Sequence, residues 1–408
     1  MSKTLLVVSG GIEAVPGILK AKEMGLHVVV SDYNPEAPGF RYADDRIIAS
    51  TYDVQETVAA AEKYHKNIRP LDGVICVASD VPLTVASVAE KLGLPGLSIE
   101  TAKLAGDKLA MKDQLVREGI PVPWYKPVMS IQELDKVCRV KGFPLIIKPV
   151  DSRGARGVLL LDRDIDLQWA FNTAQQNSPT ARVMAEEFIS GPQISTEAVM
   201  VNGIGYNLGF SDRNYEYLER FRPHIIENGG TQPSILSESM QKDIADLAIK
   251  AGKALGVVNG IVKGDMVYGP DGPMVIEIAT RLSGGYFSTD QIPLHTGVDM
   301  LKAAIKLALG EGIKPQELEK KGNRAVAIRY LFPAPGRVVS ISGLETARKQ
   351  EGIVRAEIVV KIGDIITTPC NSNDTAGYVI AVADRHEDAV SRCVKAVNSI
   401  NVETEKLV

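Results

Sequence analysis

The first hundred residues alternate short apolar runs with helix-length segments, and this alternation narrows the fold more than any other feature of the 408-residue chain. Thr4-Leu-Leu-Val-Val8 reads as a buried strand, followed by the turn Ser9-Gly10-Gly11 and a helix to about Gly25. A second apolar strand at 27–31 ends at Asp32. A third at 73–78 ends at Ser79-Asp80 and runs into a helix that closes at Gly93. Strands alternating with helices imply an α/β fold with a parallel, doubly wound sheet. A dinucleotide site with Asp32 on a ribose would suit that layout. However, Ser9 stands where the first glycine of the fingerprint belongs, and such fingerprints are weak even when whole.

Near Gly106 the pattern changes. Asp107-Lys108-Leu-Ala-Met-Lys112 opens a helix ending at Gly119, and strands and helices of mixed order run on to about residue 325. Segments 324–331, 337–342, 354–366 and 377–383 then read as strands, with helices near 344–350 and 386–399, which makes a small α+β tail. A net charge of −4 gives no reason to expect nucleic acid or an anionic membrane as partner. No apolar run approaches the roughly 18 residues of a membrane span. The first residues are too short and strand-like for a signal peptide. Four cysteines and five histidines are scattered without a C-x-x-C pair or zinc spacing. A cytoplasmic location is therefore expected, with any metal held by oxygens.

Five features between residues 143 and 285 make sense together around a nucleoside triphosphate. Phe143-Pro-Leu-Ile-Ile-Lys148-Pro149 is a strand that delivers a lysine beside a buried apolar surface. Asp151-Ser152-Arg153-Gly154-Ala155-Arg156-Gly157-Val158 is a turn between two hydrophobic strands, where freed backbone amides and two arginines can close over phosphate oxygens. Standing alone, it would equally be a plain hairpin with solvated arginines. Val183-Met184-Ala185-Glu186-Glu187-Phe188-Ile189 is a strand running into Ser190-Gly191-Pro192, and backbone groups there can pair with an adenine edge. Gly264-Asp265-Met266-Val267 and Met274-Val275-Ile276-Glu277-Ile278 form a hairpin across Pro270-Asp271-Gly272. Such a hairpin can present both carboxylates on one sheet as hard ligands for Mg²⁺. A lone acid in a strand usually marks an exposed face, but apolar flanks on both sides favour burial with a cation. Ala279-Thr280-Arg281-Leu282-Ser283-Gly284-Gly285 follows at once. A guanidinium beside the metal acids can neutralise charge building on a transferred phosphoryl group or tetrahedral centre. Without the acids, Arg281 would read as a surface arginine.

Lys108, Lys148-Pro149, the 154–157 loop, Glu186-Glu187-Phe188-Ile189-x-Gly191, Asp265 and Glu277-Ile-Ala-Thr-Arg281 stand in an order and spacing that resembles the ATP-grasp superfamily. The strand–helix layer before them resembles the domain preceding ATP-grasp modules, so the likeness spans nearly the whole chain. It implies an N-terminal doubly wound parallel-sheet domain (1–105), an ATP-grasp domain (106–325) with a lid at about 120–190, and a small C-terminal α+β domain (326–408). It further implies a carboxylate–amine ligase using ATP and Mg²⁺, or Mn²⁺ in its place. Lys108 and Lys148 would bind the α and β phosphates, and Arg153, Gly154, Arg156 and Gly157 would cover the triphosphate. Glu186, Glu187, Phe188 and Ile189 would border adenine, and Gln193 would reach the ribose. Asp265 and Glu277 would ligate the metal, and Arg281, with Lys148, would steady the reacting intermediate. The chain departs from the family at Gln193, where a glutamate is frequent, and at Ala279, where many members have asparagine. Asp265 is also shorter than the usual glutamate.

The run Ala327-Ile-Arg-Tyr-Leu-Phe-Pro-Ala-Pro-Gly-Arg-Val338 resembles the entrance to the last domain of biotin carboxylases and of L-amino acid ligases. The Glu277–Gly285 stretch and Gly297-Val298-Asp299 lean towards the amino acid ligases. Pro223-His224-Ile-Ile-Glu227 occupies the place where biotin carboxylases carry a Gln-Lys pair, which counts against their chemistry. His224, Glu227, Gly229 and Gly230, with Arg281, Gly284 and Gly285, are the candidates for the substrate end; a loop joining two strands is the plain alternative for 224–230. The expected partners are a small-molecule carboxylate and an amine, with no nucleic acid and no membrane, in a homodimer as is common among related enzymes. Three other readings stay open. One is a bicarbonate-dependent carboxylating ligase of the purine-pathway kind, and another is a ligase whose acid is not an amino acid. The third is a nucleotide-binding regulator without catalysis.

Overall fold

The computed structural model describes residues 2–406. In the N-terminal layer, β1 (Thr4–Val8), β2 (His27–Asp32), β3 (Asp45–Ile48) and β4 (Gly73–Ile75) form a parallel sheet in the order β3-β2-β1-β4. Every residue of β1 is buried, which is why it reads as an unbroken apolar run rather than an alternation. The short β3 has no such run and escapes notice in the sequence. Asp32 spends its carboxylate inside the fold, accepting hydrogen bonds from the backbone N–H groups of Gly10 (2.8 Å) and Asn34 (2.9 Å). It stitches the turn after β1 and does not offer itself to a ribose. Beyond β4, Val77 makes an isolated parallel bridge with Leu282, which fastens this layer to the centre of the molecule.

The next unit is an antiparallel sheet of β5 (Tyr125–Val128), β6 (Leu145–Pro149), β7 (Leu159–Leu161) and β8 (Val183–Glu187), ordered β5-β8-β6-β7. Helices Ile131–Lys141 and Leu167–Gln176 bury Leu134, Val137 and Phe171 against Ile147, Leu159 and Val183. This small sheet with its own core occupies the stretch expected to be a lid.

Seven further strands share the largest sheet with β9 (Gln193–Val201): β10 (Ile204–Asn214), β11 (Gly229–Gln232), β12 (Gly260–Gly269), β13 (Gly272–Ala279), β14 (Ala325–Leu331), β16 (Ile353–Ile358) and β18 (Gly377–Ala383). Their order is β13-β12-β9-β10-β11-β14-β18-β16, antiparallel throughout. A separate three-stranded sheet holds β15 (Gly336–Ser342), β17 (Ile365–Ile366) and β19 (Asn401–Glu405). Helix Glu238–Ala254, capped by Ser237 through the Met240 N–H (3.3 Å), packs Ile244, Leu247 and Ala251 against Val262 and Met266 on one face of the large sheet.

Two expectations change here. The 354–366 segment is two strands in two different sheets, and the chain turns between them. The α+β tail is present, but residue 325 is not a break in the backbone hydrogen bonding, because β14 pairs with β11 and continues the sheet built by β9 to β13. A chain ending at residue 324 would leave β11 as a bare edge and discard the strands beyond it. Such a fragment is expected to show no cooperative thermal unfolding. A folded fragment melting at the full-length temperature would show that the tail is an independent unit.

Candidate active site

Strand geometry builds the floor of the site. Residues directly opposite in neighbouring strands point to the same face, and so do residues two apart along a strand. On one face, Glu277 lies opposite Asp265, Asp265 opposite Ser195, and Ser195 opposite Ser211. Two positions along β10, Arg213 lies opposite Gly230, which lies opposite Ile328; two further on, Tyr330 lies opposite Tyr378. All of these line one cavity of about 680 Å³. The floor runs from carboxylates on β12 and β13 to phenols on β14 and β18. Four strand spacings separate β12 from β14, about 19 Å.

Lys108, Lys112 and Lys148 arrive from two other elements. Asp107 caps helix Lys108–Arg117, accepting from the N–H groups of Leu109 and Ala110 (both 3.0 Å), and Arg182 fastens its other oxygen at 2.6 Å. Four residues apart, Lys108 and Lys112 share one face of that helix. Lys112 Nζ lies 2.6 Å from Glu186 Oε2, and Lys148 Nζ lies 2.7 Å from Glu186 Oε1; the three side chains are 1%, 4% and 4% exposed. Burial and the neighbouring Lys148 outweigh Glu186 at Lys112 and lower its ammonium to about 8. Burial pushes the Glu186 carboxyl up, yet the two lysine charges prevail and hold it below its ordinary value. Lys108 reaches Glu277 (3.0 Å) and donates to the Ser152 carbonyl (2.6 Å). Asp265 is paired with Arg213 (2.7 Å) and Lys263, and these charges outweigh its burial and hold it far below the carboxylate range. Arg213 also pairs with Glu227 (2.7 Å), and Arg281 pairs through two nitrogens with Asp80 (2.8 and 2.9 Å).

The glycine loop between β6 and β7 is held on both sides. Arg153 stacks 3.7 Å over the Tyr52 ring and donates to the Asp80 carbonyl (3.3 Å), while the Ser372 N–H donates to the Gly154 carbonyl (3.1 Å). Gly154 takes φ +61°, which a residue with a β-carbon rarely adopts.

Residues 105–285 match the model of the ATP-grasp domain. Residues 18–96 match the ATP-grasp N-terminal domain, and residues 329–405 match the L-amino acid ligase C-terminal domain 2. The chain carries an ATP-grasp domain. That domain stands between an ATP-grasp N-terminal domain and an L-amino acid ligase C-terminal domain. This ATP-grasp chain is 26% identical over 389 residues to the protein y4rH of Sinorhizobium fredii, across 93% of this chain and 78% of that one. Its fold superposes on the L-amino acid ligase of Bacillus licheniformis with a TM-score of 0.84 at 20% identity, over 99% of both chains. On the biotin carboxylase of Campylobacter jejuni the TM-score is 0.73 at 21% identity, over 100% of this chain and 93% of that one.

Most of the residues singled out in the sequence meet in this ATP-grasp cavity. Lys108, Lys148, Arg153, Gly154, Arg156, Glu186, Glu187, Phe188, Ile189, Gln193, Glu227, Gly230, Asp265, Glu277, Arg281, Gly284 and Gly285 all line it. Three do not. His224 packs its ring edge-to-face on Trp169 of helix Leu167–Gln176 (centroids 6.2 Å apart) and bridges Leu159, so it packs on the small sheet and does not line the cavity. Gly229 is one position off register from Gly230 and so faces the other side of the sheet; a β-carbon there would come within 2.0 Å of the Ile328 carbonyl oxygen. Gly157, at φ +72°, backs onto Asn177 and Pro149, where a β-carbon would fall at 2.7 and 2.9 Å. Glu186 does border the cavity, but its carboxylate belongs to the two lysines.

Sequence reading passed over several residues that the fold brings in. Lys112 carried a signal in its i,i+4 spacing from Lys108. Lys263 carried one in its i,i+2 spacing from Asp265 on one strand; Asp80 and Arg213 carried none, since each is one charge on a strand or loop whose neighbours are decided by distant pairing. Glu13, after the first turn, accepts the Gly285 N–H with both oxygens (3.3 Å each), and burial raises its carboxyl. Glu197, fully buried, accepts from the Ser288 hydroxyl (2.6 Å) and the Ser283 N–H (3.3 Å), and burial raises it likewise.

Glu186→Gln leaves two buried ammonium groups without a counter-charge and is expected to cost about 3–5 kcal/mol, measured by denaturant unfolding. A loss below about 1 kcal/mol would mean the triad is hydrated. Gly229→Ala is expected to cost about 2–4 kcal/mol through the carbonyl clash. Wild-type stability with an altered substrate preference would instead return Gly229 to the substrate end.

Proposed function

We propose that this ATP-grasp protein is an ATP- and Mg²⁺-dependent carboxylate–amine ligase. It joins an amino acid carboxylate to an amine through an acyl phosphate and releases ADP and phosphate. The observation that carries this reading is one continuous cavity leading from Lys108 and Lys148 past Asp265 and Glu277 to Arg281. The match of residues 329–405 to the L-amino acid ligase C-terminal domain favours an amino acid as the acid.

The donor set suits Mg²⁺ only in company. Among the described residues no group of three or more His, Cys, Asp or Glu side chains could hold a metal by itself. Asp265 and Glu277 supply two facing carboxylates, and Mg²⁺ is ordinarily held by one or two carboxylates together with substrate phosphates. Their present partners, Lys108, Lys263 and Arg213, would give way or share as the triphosphate enters. Bound there, the ion would neutralise charge between the phosphates.

The chain's own residues do the remaining work. Lys108 and Lys148 bind phosphate oxygens, and the Glu186 carboxylate keeps Lys148 and Lys112 in place. Arg153, Gly154 and Arg156 cover the triphosphate, and the 187–189 segment with Gln193 borders the nucleoside. The acid's carboxylate oxygen attacks the γ-phosphorus and ADP leaves. The neutral amine then adds to the acyl carbon, and Arg281 stabilises the negative oxygen that forms. Expulsion of phosphate and loss of the amine's proton complete the amide. Such chemistry rests on positioning and electrostatics, with no protein nucleophile required. The far end of the floor, with Glu227, Tyr330 and Tyr378, is the proposed substrate end. No helix among the described residues is long and apolar enough to cross a membrane, and we assign the protein to the cytoplasm.

Product analysis with Mg-ATP, with amino acids supplied singly and in pairs and bicarbonate in a separate arm, tests the proposal. ADP and phosphate are expected only with a particular acid–amine pair, and Lys148→Ala should lower kcat/KM for ATP by about 10²-fold or more. Release driven by bicarbonate alone would move the protein to the carboxylating branch. AMP with pyrophosphate would overturn the acyl phosphate, and binding of ATP without turnover in any arm would favour a regulator.

A further inference from the structure

We propose that Asp80 is the positioning residue for Arg281, setting which edge of the guanidinium faces the reacting atoms and so making the N-terminal layer part of the reaction centre. This inference rests on the ligase reading above for the role of Arg281, though not for the pairing itself.

A guanidinium carries five N–H groups in one plane. In Arg281, Nε donates to Asp80 Oδ1 (2.8 Å), Nη2 to Asp80 Oδ2 (2.9 Å), and Nη1 to the Leu282 carbonyl (3.3 Å). These bonds use three of the five. One N–H remains on each terminal nitrogen, and the side chain lines the cavity. Asp80 thus takes the Nε–Nη2 edge and leaves the Nη1–Nη2 edge for an incoming oxygen.

The backbone places Asp80 for this task from 201 residues away. Val77 bridges Leu282 in parallel, laying the end of the N-terminal sheet alongside the segment that carries Arg281. Between them Ala78 takes φ +58°, a conformation costly for a residue with a β-carbon, and it redirects the chain so that Asp80 meets the arginine. Burial pushes the Asp80 carboxyl up, but the Arg281 charge outweighs it and Asp80 stays ionised. The Asp80 carbonyl also receives Arg153 of the triphosphate loop, so the same residue touches the lid.

Competition explains why the arginine needs a dedicated partner. Glu13, Glu197 and Asp265 all lie within the electrostatic reach of Arg281. Released from Asp80, the guanidinium would turn to one of them, and pairing with Asp265 would tie up a proposed metal acid. A buried ion pair is weak grounds for assigning a stabilising role. A bidentate pair that joins two layers and opens on the cavity is better explained by orientation.

The test uses the full chain and the acid–amine pair found by product analysis. Asp80→Asn should lower kcat by about 10²-fold while the KM for ATP stays within about threefold, and Asp80→Glu should recover part of the loss. In an Arg281→Ala background, Asp80→Asn should change kcat by less than about twofold. An equal loss in both backgrounds would overturn the proposal, as would a loss accounted for entirely by unfolded protein. A second readout needs no turnover. The Arg281 Nε–H resonance, assigned by its absence in Arg281→Lys, should exchange slowly with water in the wild type and rapidly in Asp80→Asn. Unchanged protection would overturn the pairing. If no acid–amine pair releases ADP, the ligase reading fails while this measurement still decides the role of Asp80.

Discussion

Burying charge costs several kcal/mol per ion unless each ion finds a partner at close range, and the centre of this protein is organised by that constraint. Lys112, Glu186 and Lys148 are almost wholly buried, and they belong to a helix and to two neighbouring strands, β8 and β6. Asp265 answers to Arg213 and Lys263 from its own sheet, and Arg281 answers to Asp80 from the N-terminal layer. Lys108 and Glu277 join the helix to the sheet. Compensation therefore also acts as assembly, because, Lys263 with Asp265 on β12 apart, each of these pairs joins two different elements. The specific pairings hold Lys108, Lys148 and Arg281, which come from three different segments, at the lining of one cavity.

The sheet supplies the opposite kind of order. Its two-residue period sends Ser195, Ser211, Arg213, Gly230, Asp265, Glu277, Tyr330 and Tyr378 to a single face without any side chain having to choose. Antiparallel pairing carries that face across the join between β11 and β14, so the last domain contributes floor to the site. The aromatic end is firm: Tyr286 stacks on Tyr378 with ring centroids 4.1 Å apart, and Arg355 lies 4.7 Å above Tyr286. One surface thus grades from charge that suits phosphates to rings that suit an organic substrate.

Much of this could be read from the chain alone. Strands β1, β2, β6, β8, β12 and β13 are short apolar runs with clear turn residues at their ends, and their existence follows from local chemistry. The hairpin over Pro270-Asp271-Gly272 made a facing pair of Asp265 and Glu277 a fair expectation. What failed failed for definite reasons. His224 looked like a substrate residue because it sits in a loop of polar and glycine residues, and only the packing of helix Leu167–Gln176 shows its ring against Trp169. Gly229 and Gly230 are indistinguishable as letters, but a one-residue step along a strand reverses the face.

The sequence by itself determined most of the elements, and with them the turn at 151–158 and the strands that carry Lys148, Asp265 and Glu277, because periodicity, turn chemistry and spacing act over a few residues. Tertiary structure alone decided that Asp80 would face Arg281, that Lys112 would share Glu186 with Lys148, and that the tail would extend the central sheet. Those outcomes depend on strand order and on which buried charge finds which partner. Both are settled by long-range pairing, between residues as far as 201 apart in the chain, where local composition carries no information.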